Sequence, residues 1–511
     1  MRALALPRRD WPLVVAGALL LVLAYPPFHL FAPSFVCLVP AALLLLDGQQ
    51  DGRPLRRHVV QGFWFGLLSQ GLVLYWIIVA LWHFTPLSAL GYVATVIPMG
   101  MFWAILFAAV GWVMRRTGVS LLLVLPVGWT ALEWMIGHIP QIGFPWLGLG
   151  TSLTGYPMVV QIADVVGARG VTFLLVVANT ALALAWIRRR ERTVWLIPVA
   201  VGIGTLLATA YGAWRMRAVQ LRPVGEIALI QPDVGFQDKW DSTLQDSIFT
   251  HLMTLSRRAI DSTSPDMVVW PEAAVPGWLD LRPSWDRAIA AQSRRAGIPL
   301  LIGGLALDVA QFRSGDSNYD YWNSAFLVTP DRGRLPQAYH KRYLVPITER
   351  VPFVNPRWFD LRFFGGFAVG RERPVFETPL GAVGVMICYE SAFEDLTRAY
   401  RARGVDVLVN ITNDAWFGNS SAPYQHFAHL VMRAIETRAG IARAANSGIS
   451  GFVDPLGRPY TTTRLNELTF VSDTLVTSDA RTLYVRLGDW VGLFSLVAAG
   501  ALLAWAWRRA A

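Results

Sequence analysis

The chain has 511 residues, 54% of them apolar and only 16% charged. Soluble domains carry about 25% charged residues, so a purely soluble protein is excluded, as are a disordered chain and, with only two cysteines, a disulfide scaffold. The formal charge of +10 does not point to nucleic acid, because the cations are almost all Arg beside apolar runs and Lys239 and Lys341 are the only lysines.

A bilayer span needs about 20 mostly apolar residues. In chain order the candidates are Trp11 to Tyr25, Phe31 to Leu46, Val59 to Trp82, Ala89 to Met114, Val119 to Ile136, Val166 to Trp186, Val194 to Trp214 and Trp490 to Trp507. The first two are short, with Pro26 and Pro27 marking a turn between them. The opening segment carries Arg2, Arg8 and Arg9 before its apolar stretch, as a signal peptide does. No small-residue cleavage site follows and a second apolar run comes at once, so it is read as retained.

Arginine placement sets the orientation. With eight spans and a cytoplasmic N-terminus, the inner connections hold Arg53, Arg56 and Arg57, then Arg115 and Arg116, then Arg188, Arg189, Arg190 and Arg192, and finally Arg508 and Arg509. The outer connections His83 to Leu87 and Gly137 to Asp164 hold no Arg or Lys, and Arg169 is the one mild exception. The expected organisation is a membrane domain of seven helices over 1–215, an exported domain over 216–487 and a final membrane helix over 488–511, with both termini inside.

The exported segment contains most of the Asp and Glu, and its apolar runs are short: Ile227 to Ile230, Met267 to Trp270, Leu300 to Ile302, Ser324 to Val328, Val383 to Ile387 and Val405 to Val409. Helix-length stretches lie among them, at Thr243 to Ile260, Ser284 to Ala296, Phe393 to Arg403 and Tyr424 to Ala439. Short buried strands alternating with helices predict an α/β domain.

Cys388 is the only cysteine of that domain, since Cys37 falls within a span. It ends an apolar run and precedes Tyr389, Glu390 and Ser391, after which a helix is predicted to begin. A thiol at such a turn is exposed at the sheet edge, and the helix N-terminus favours thiolate and can hold an oxyanion. Glu272 ends another strand in Trp270-Pro271-Glu272, and Lys341 stands in a chain that otherwise prefers Arg. Lysine offers a compact charge whose pKa burial can move.

The motifs Val-Val-Trp-Pro-Glu at 268–272, His-Lys-Arg-Tyr-Leu-Val-Pro at 340–346 and Val-Met-Ile-Cys-Tyr-Glu at 385–390 resemble those around the Glu-Lys-Cys triad of the nitrilase superfamily. Asn-Asp-Ala-Trp-Phe-Gly at 413–418 and Arg-Ala-Ala-Asn-Ser-Gly-Ile-Ser at 443–450 add to the likeness. The resemblance implies an α-β-β-α sandwich. With seven spans before that domain and one after it, the whole chain resembles the apolipoprotein N-acyltransferase family. Trp240, in Gln-Asp-Lys-Trp-Asp at 237–241, matches a functionally important tryptophan of that family, and Glu349 matches its second glutamate.

The resemblance implies acyl transfer from a phospholipid, phosphatidylethanolamine being the expected donor, to the α-amino group of a diacylglyceryl-cysteine at an apolipoprotein N-terminus. It implies the bacterial inner membrane, with the catalytic domain periplasmic, and no cofactor, metal or nucleic acid. Cys388 is then the nucleophile, Glu272 the general base and Lys341 the oxyanion stabiliser, with Glu349, Tyr389, Glu390 and Trp240 in support. The stretch Val351 to Val369 carries Phe353, Trp358, Phe359, Phe363, Phe364 and Phe367 without clear periodicity, and Gly365 and Gly366 beside them. It reads as a lipid-access loop at the membrane interface.

Other readings are weaker. His426 and His429 are three apart on a predicted helix but lack a third metal ligand, and no His suits a cysteine protease. A transporter is disfavoured because the spans hold few ionisable residues, Glu133 being the main exception. A membrane-anchored amidase of the nitrilase type is the enzymatic alternative, but it would need only one span.

Overall fold

The computed structural model describes residues 5–51, 54–82, 88–235, 237–315, 319–354 and 366–509. Trp358, Phe359, Phe363 and Phe364 of the expected lipid-access loop lie outside the described residues. The N-terminal part is helical throughout. Its helices are α1 (Trp11–Ala24), α2 (Phe31–Val36), α3 (Val39–Gly48), α4 (Pro54–Val73), α5 (Trp76–Trp82), α6 (Ser88–Thr117), α7 (Leu121–His138), α8 (Pro157–Val160), α9 (Ala163–Ile187) and α10 (Leu196–Ala218).

Among the described residues six helical segments are long and apolar enough to cross a bilayer, α2 and α3 together counting as one of them. The bent pair α4 and α5, 56° apart, makes a seventh if taken as one span. These seven and α1 correspond one to one with the eight apolar runs of the sequence. At 14 residues α1 extends only about 21 Å, short of a hydrocarbon core of about 30 Å. On α10 the residues Leu196, Val199, Ile203, Leu206 and Leu207 are exposed, the surface expected of a helix facing lipid rather than protein.

The strands follow, interleaved with helices: β1 (Arg222–Gln231), α11 (Gln245–Thr263), β2 (Met267–Val269), α12 (Pro283–Ala296), β3 (Leu300–Leu307), α13 (Val309–Arg313), β4 (Tyr321–Thr329), β5 (Gly333–His340), β6 (Phe376–Thr378) and β7 (Gly381–Ile387). After them come α14 (Glu394–Ala402), β8 (Val407–Thr412), α15 (Ala422–Thr437), β9 (Gly440–Ala445), β10 (Gly451–Val453), β11 (Pro459–Tyr460), β12 (Thr469–Thr477), α16 (Leu483–Leu487) and the apolar α17 (Trp490–Arg508).

Two six-stranded sheets result, in the orders β12-β1-β2-β3-β4-β5 and β11-β10-β9-β8-β7-β6. β1, β2 and β3 run parallel, as do β7, β8 and β9, with antiparallel strands outside them. Side-chain alternation divides the layers. On β1, Ala228 and Ile230 pack with Phe249 and Leu252 of α11 and Trp285 of α12, whereas Ile227 and Leu229 share a core with Val385, Ile387 and Val409 of the second sheet. With α14 and α15 covering that second sheet, the result is the expected α-β-β-α sandwich.

The sandwich is joined to the helical part by buried ion pairs. Helix α9 is broken at Gly167, which adopts φ 69°, a conformation open to glycine at little cost. The break frees the N–H of Ala168, which donates to Glu436 Oε1 of α15 at 2.8 Å. Arg169, the outward arginine that the orientation rule left as an exception, is buried and pairs with Glu394 and with Asp489, the latter at 2.9 Å. Its charge is matched by Glu394 of the sandwich and by Asp489 at the start of α17.

Candidate active site

The three expected catalytic residues stand at strand ends and converge. Glu272 follows β2, held by Trp270, which is buried and whose indole donates to Ser256 at 2.7 Å. Gly303 of β3 allows the approach: a Cβ there would lie 2.1 Å from the Pro271 carbonyl oxygen. Lys341 immediately follows β5, and Cys388 immediately follows β7.

The carboxylate of Glu272 is fully engaged. Its Oε1 accepts from Lys341 Nζ at 3.1 Å and from Asn323 Nδ2 at 2.6 Å, and its Oε2 accepts from the Asn413 N–H at 2.8 Å. Lys341 Nζ also donates to Glu349 Oε1 at 2.8 Å, and Glu349 Oε2 accepts from the Val345 N–H at 2.7 Å. Burial opposes the charge on Lys341, but Glu272 and Glu349 outweigh it and hold the ammonium protonated well above the ordinary lysine range.

Cys388 adopts φ 52°, a left-handed conformation that costs a non-glycine residue about 1–3 kcal/mol. The surroundings hold it there. Its carbonyl accepts from Nε2 of buried His426 at 3.0 Å, so that nitrogen carries the proton. Nδ1 of His426 lies 2.9 Å from Asp414 Oδ1, and Asp414 Oδ2 takes Arg443 Nη2 at 2.6 Å. His426 is therefore a buried structural residue of the elbow.

The residues after Cys388 form a short 3-10 turn, Cys388–Ala392, and the helix proper starts only at Glu394. The helix start matches the expected stretch from Phe393, and the 3-10 turn separates the helix terminus from the sulfur. Burial, and next the nearby Glu272 carboxylate, push the Cys388 thiol up, with Lys341 opposing. Burial and Glu272 both favour the neutral thiol over the thiolate.

Glu390 and Tyr389 also gather here. Glu390 is buried and its carboxylate accepts four hydrogen bonds: from Ile387 N–H at 2.7 Å, Tyr339 hydroxyl at 2.7 Å, Arg342 N–H at 2.6 Å and Tyr343 N–H at 3.1 Å. It thereby ties the cysteine elbow to the segment carrying Lys341. The Tyr389 hydroxyl donates to the Gly143 carbonyl of the outer connection after α7 at 2.8 Å, and its ring stacks on Phe144 and Trp146. Trp240 ends the 3-10 turn Asp238–Trp240, directly after Lys239.

Several participants escaped the sequence reading. Lys239, quoted only as part of a motif, is buried and donates to the Glu272 backbone carbonyl at 3.0 Å. Burial lowers its pKa to about 8, with Glu272 and Cys388 pulling the other way. Asn323 was marked only by being an amide inside an apolar strand run, and the His426, Asp414 and Arg443 network by being charged or polar where the neighbours are apolar. Glu133 accepts from Trp129, Leu149 N–H and Thr172, so it is a satisfied structural acid.

An aromatic wall closes the site toward the helical part. Trp76, Ile77 and Trp146 cluster with Tyr389, Phe393 and Ala422, and Cys388 packs against this group. The arrangement sets a thiol, a carboxylate and a fixed cation against an aromatic surface.

Residues 226–483 match the carbon-nitrogen hydrolase family, and residues 17–181 match the apolipoprotein N-acyltransferase N-terminal domain. An apolipoprotein N-acyltransferase of Geobacter metallireducens is 32% identical, covering 99% of this chain and 96% of its own. One of Methylococcus capsulatus is 31% identical, covering 94% and 92% respectively. Among solved structures, an amidase from Nesterenkonia sp. AN1 is similar at 17% identity and a TM-score of 0.37, over 52% of this chain and 96% of its own. The chain belongs to the apolipoprotein N-acyltransferase family, whose catalytic half is a carbon-nitrogen hydrolase domain.

Proposed function

We propose that the protein transfers a fatty acyl chain from a membrane phospholipid, phosphatidylethanolamine, to the N-terminal α-amino group of the diacylglyceryl-cysteine of apolipoproteins, through a thioester on Cys388. The observation that carries this reading is the placement of a thiol, a carboxylate and a lysine beside an aromatic wall to which helix α5 contributes Trp76. Glu272 takes the thiol proton as sulfur attacks the ester carbonyl. Lys341 stabilises the oxyanion of the tetrahedral intermediate, in a dry site where a charge acts strongly. The C–O bond breaks, the leaving alkoxide takes the proton from Glu272, and lysophospholipid departs.

The α-amine of the second substrate then attacks the thioester carbonyl and loses a proton to Glu272. The C–S bond breaks, and the sulfur recovers that proton. Glu349 fixes the Lys341 ammonium, and Glu390 and Tyr389 position the elbow. The residues supplying each step are all in the chain, and the reading calls on no cofactor.

The arginine distribution supports both termini on the cytoplasmic side of a bacterial inner membrane and a periplasmic catalytic domain over 216–487, with seven spans before it and one after. The test is to incubate the detergent-purified protein with phosphatidylethanolamine alone and weigh the Cys388 peptide. A fatty-acyl adduct, labile to hydroxylamine and absent from Cys388→Ala, is expected, with Glu272→Gln slowed by at least about a thousandfold. An unmodified Cys388 in the wild type would sink the reading.

A further inference from the structure

A cavity of about 410 Å³ opens beside the site, at the seam between the connection after α7 and the segment that follows Lys341. Its volume falls in the range of about 300–1,000 Å³ usual for small-ligand sites. Arg342, Arg350 and Asp395 line it, together with Tyr343 and Phe393. The rings of these last two stack 4.0 Å apart, and Phe393 meets Tyr389 edge-on at 5.0 Å, so one aromatic layer separates the cavity from the residue after Cys388.

Its charges are unusual because they are not paired with one another. Among the described residues no carboxylate lies within ion-pair distance of Arg342 or Arg350. Arg342 Nη1 donates to the backbone carbonyls of Gly370 and Arg371, while its Nε is buried without a partner. Among the described residues the Arg350 side chain reaches the Phe367 carbonyl alone, at 3.5 Å. Asp395 accepts from the Tyr343 hydroxyl, whereas the neighbouring Glu394 is already engaged by Arg169 and Arg433. The cavity therefore presents two guanidinium groups and one carboxylate with capacity to spare.

We propose that this cavity binds the zwitterionic phosphoethanolamine headgroup of the acyl donor, with the phosphate on Arg342 and Arg350 and the ammonium on Asp395. Guanidinium forks suit phosphate oxygens, and a carboxylate suits a primary ammonium. A headgroup held there would sit one aromatic layer, Tyr343 and Phe393, from the residue that follows the nucleophile. The inference rests on the acyltransferase reading above and adds the recognition of the donor.

The experiment measures acyl-enzyme formation on Cys388 by mass spectrometry in the full-length protein in mixed micelles. Three donors with the same acyl chains are compared: phosphatidylethanolamine, phosphatidylglycerol and diacylglycerol. The wild type is expected to favour them in that order. Asp395→Asn, which keeps the Tyr343 hydrogen bond, should shrink the preference for phosphatidylethanolamine over phosphatidylglycerol by about tenfold. Arg350→Gln should shrink the preference for both phospholipids over diacylglycerol by a similar factor of about ten, with Arg350→Lys in between.

Inorganic phosphate in large molar excess should not compete. Competition by it would reveal a free-phosphate site and overturn the lipid assignment. Variants that slow all three donors by one common factor, or a wild type indifferent to headgroup, would also overturn it. A wild type acylated by none of the donors would instead defeat the acyltransferase reading itself, so the two failures are told apart.

Discussion

The ammonium of Lys239 donates to the backbone carbonyl of Glu272 at 3.0 Å, while that of Lys341 donates to the same residue's carboxylate at 3.1 Å. The only two lysines of the chain therefore meet on one glutamate. They differ in state: Lys341 is held charged by two carboxylates, whereas burial brings Lys239 down to about 8.

That difference makes a testable prediction about Lys239. Its folded pKa lies below the ordinary value of 10.5, so between those values the unfolded chain binds more protons and stability rises with pH. The rise from about pH 8 to about pH 10.5 amounts to roughly 3 kcal/mol for a complete shift. Lys239→Met should remove it, so thermal unfolding followed across that window would be flatter than in the wild type. The variant should also form the Cys388 acyl-enzyme about tenfold or more slowly, through loss of a cation beside developing negative charge. Parallel pH curves for both proteins would refute this account of Lys239.

Glu390 gives a second prediction. All four groups facing its carboxylate are donors, two from the lysine segment at Arg342 and Tyr343 and two at Ile387 and Tyr339. Glu390→Gln turns one oxygen into an amide that faces donors. A cost of about 2–4 kcal/mol is expected for the buried mismatch. Hydrogen exchange at the Arg342 and Tyr343 amides should speed up, and acylation of Cys388 should fall by about a hundredfold as Lys341 drifts. Unchanged exchange at those amides would show that Glu390 does not position the lysine segment.

How much of this was legible beforehand depended on where the signal lay. Glu272 and Cys388 announce themselves at the ends of apolar runs, and Lys341 as a lysine in a chain that otherwise prefers arginine. The eight apolar segments were equally visible, since hydropathy over a long window survives any packing. β5 was missed because Gly333-Arg334-Leu335-Pro336 looks like a loop, yet pairing with β4 makes it a sheet edge, where proline is tolerated. β9 was missed because Gly440-Ile441-Ala442-Arg443-Ala444-Ala445 has poor strand propensity and is held by neighbours on both sides. The partners of Glu272 other than Lys341 come from elements distant in sequence, and spacing alone carries no trace of such convergence.

Gly303 is the third test. The position needs space alone, because an added Cβ would meet only backbone there: the Pro271 carbonyl oxygen at 2.1 Å and the Glu272 Cα at 2.8 Å. Gly303→Ala must push the Pro271–Glu272 segment away from Lys341 and Asn413. A stability loss of about 1–3 kcal/mol is expected from overpacking, with acylation reduced by about a hundredfold from misplacement of the base. The adjacent Gly304 is the control, since its nearest neighbour would be the Phe326 side chain at 3.4 Å. Gly304→Ala should be close to wild type, and equal damage from both substitutions would mean that the strand, not the position of Glu272, is what the glycine protects.

The coupling of the site to the membrane helices is tested at Gln425 on α15. Its side-chain oxygen accepts from the indole of Trp76 at 3.1 Å and from that of Trp146 at 2.9 Å, two tryptophans on separate membrane-side segments. Its amide reaches back to the carbonyls of Pro26 and Val73, both at 3.4 Å. Trp146 also stacks on Tyr389, next to the nucleophile, so one glutamine fixes the wall against which Cys388 lies. Gln425→Leu strands two buried indole N–H groups, at about 1–3 kcal/mol each. Trp146→Phe removes one of them, so adding it to Gln425→Leu should cost less than the sum of the single changes, by roughly 1 kcal/mol or more. Thermal unfolding of the four proteins gives the stability cycle, and acylation of Cys388 gives the catalytic one. If the stability cycle shows coupling and the catalytic cycle does not, the tryptophans brace the fold without shaping the site. Coupling in both would mean that the membrane helices set the geometry in which the thiol meets its lipid.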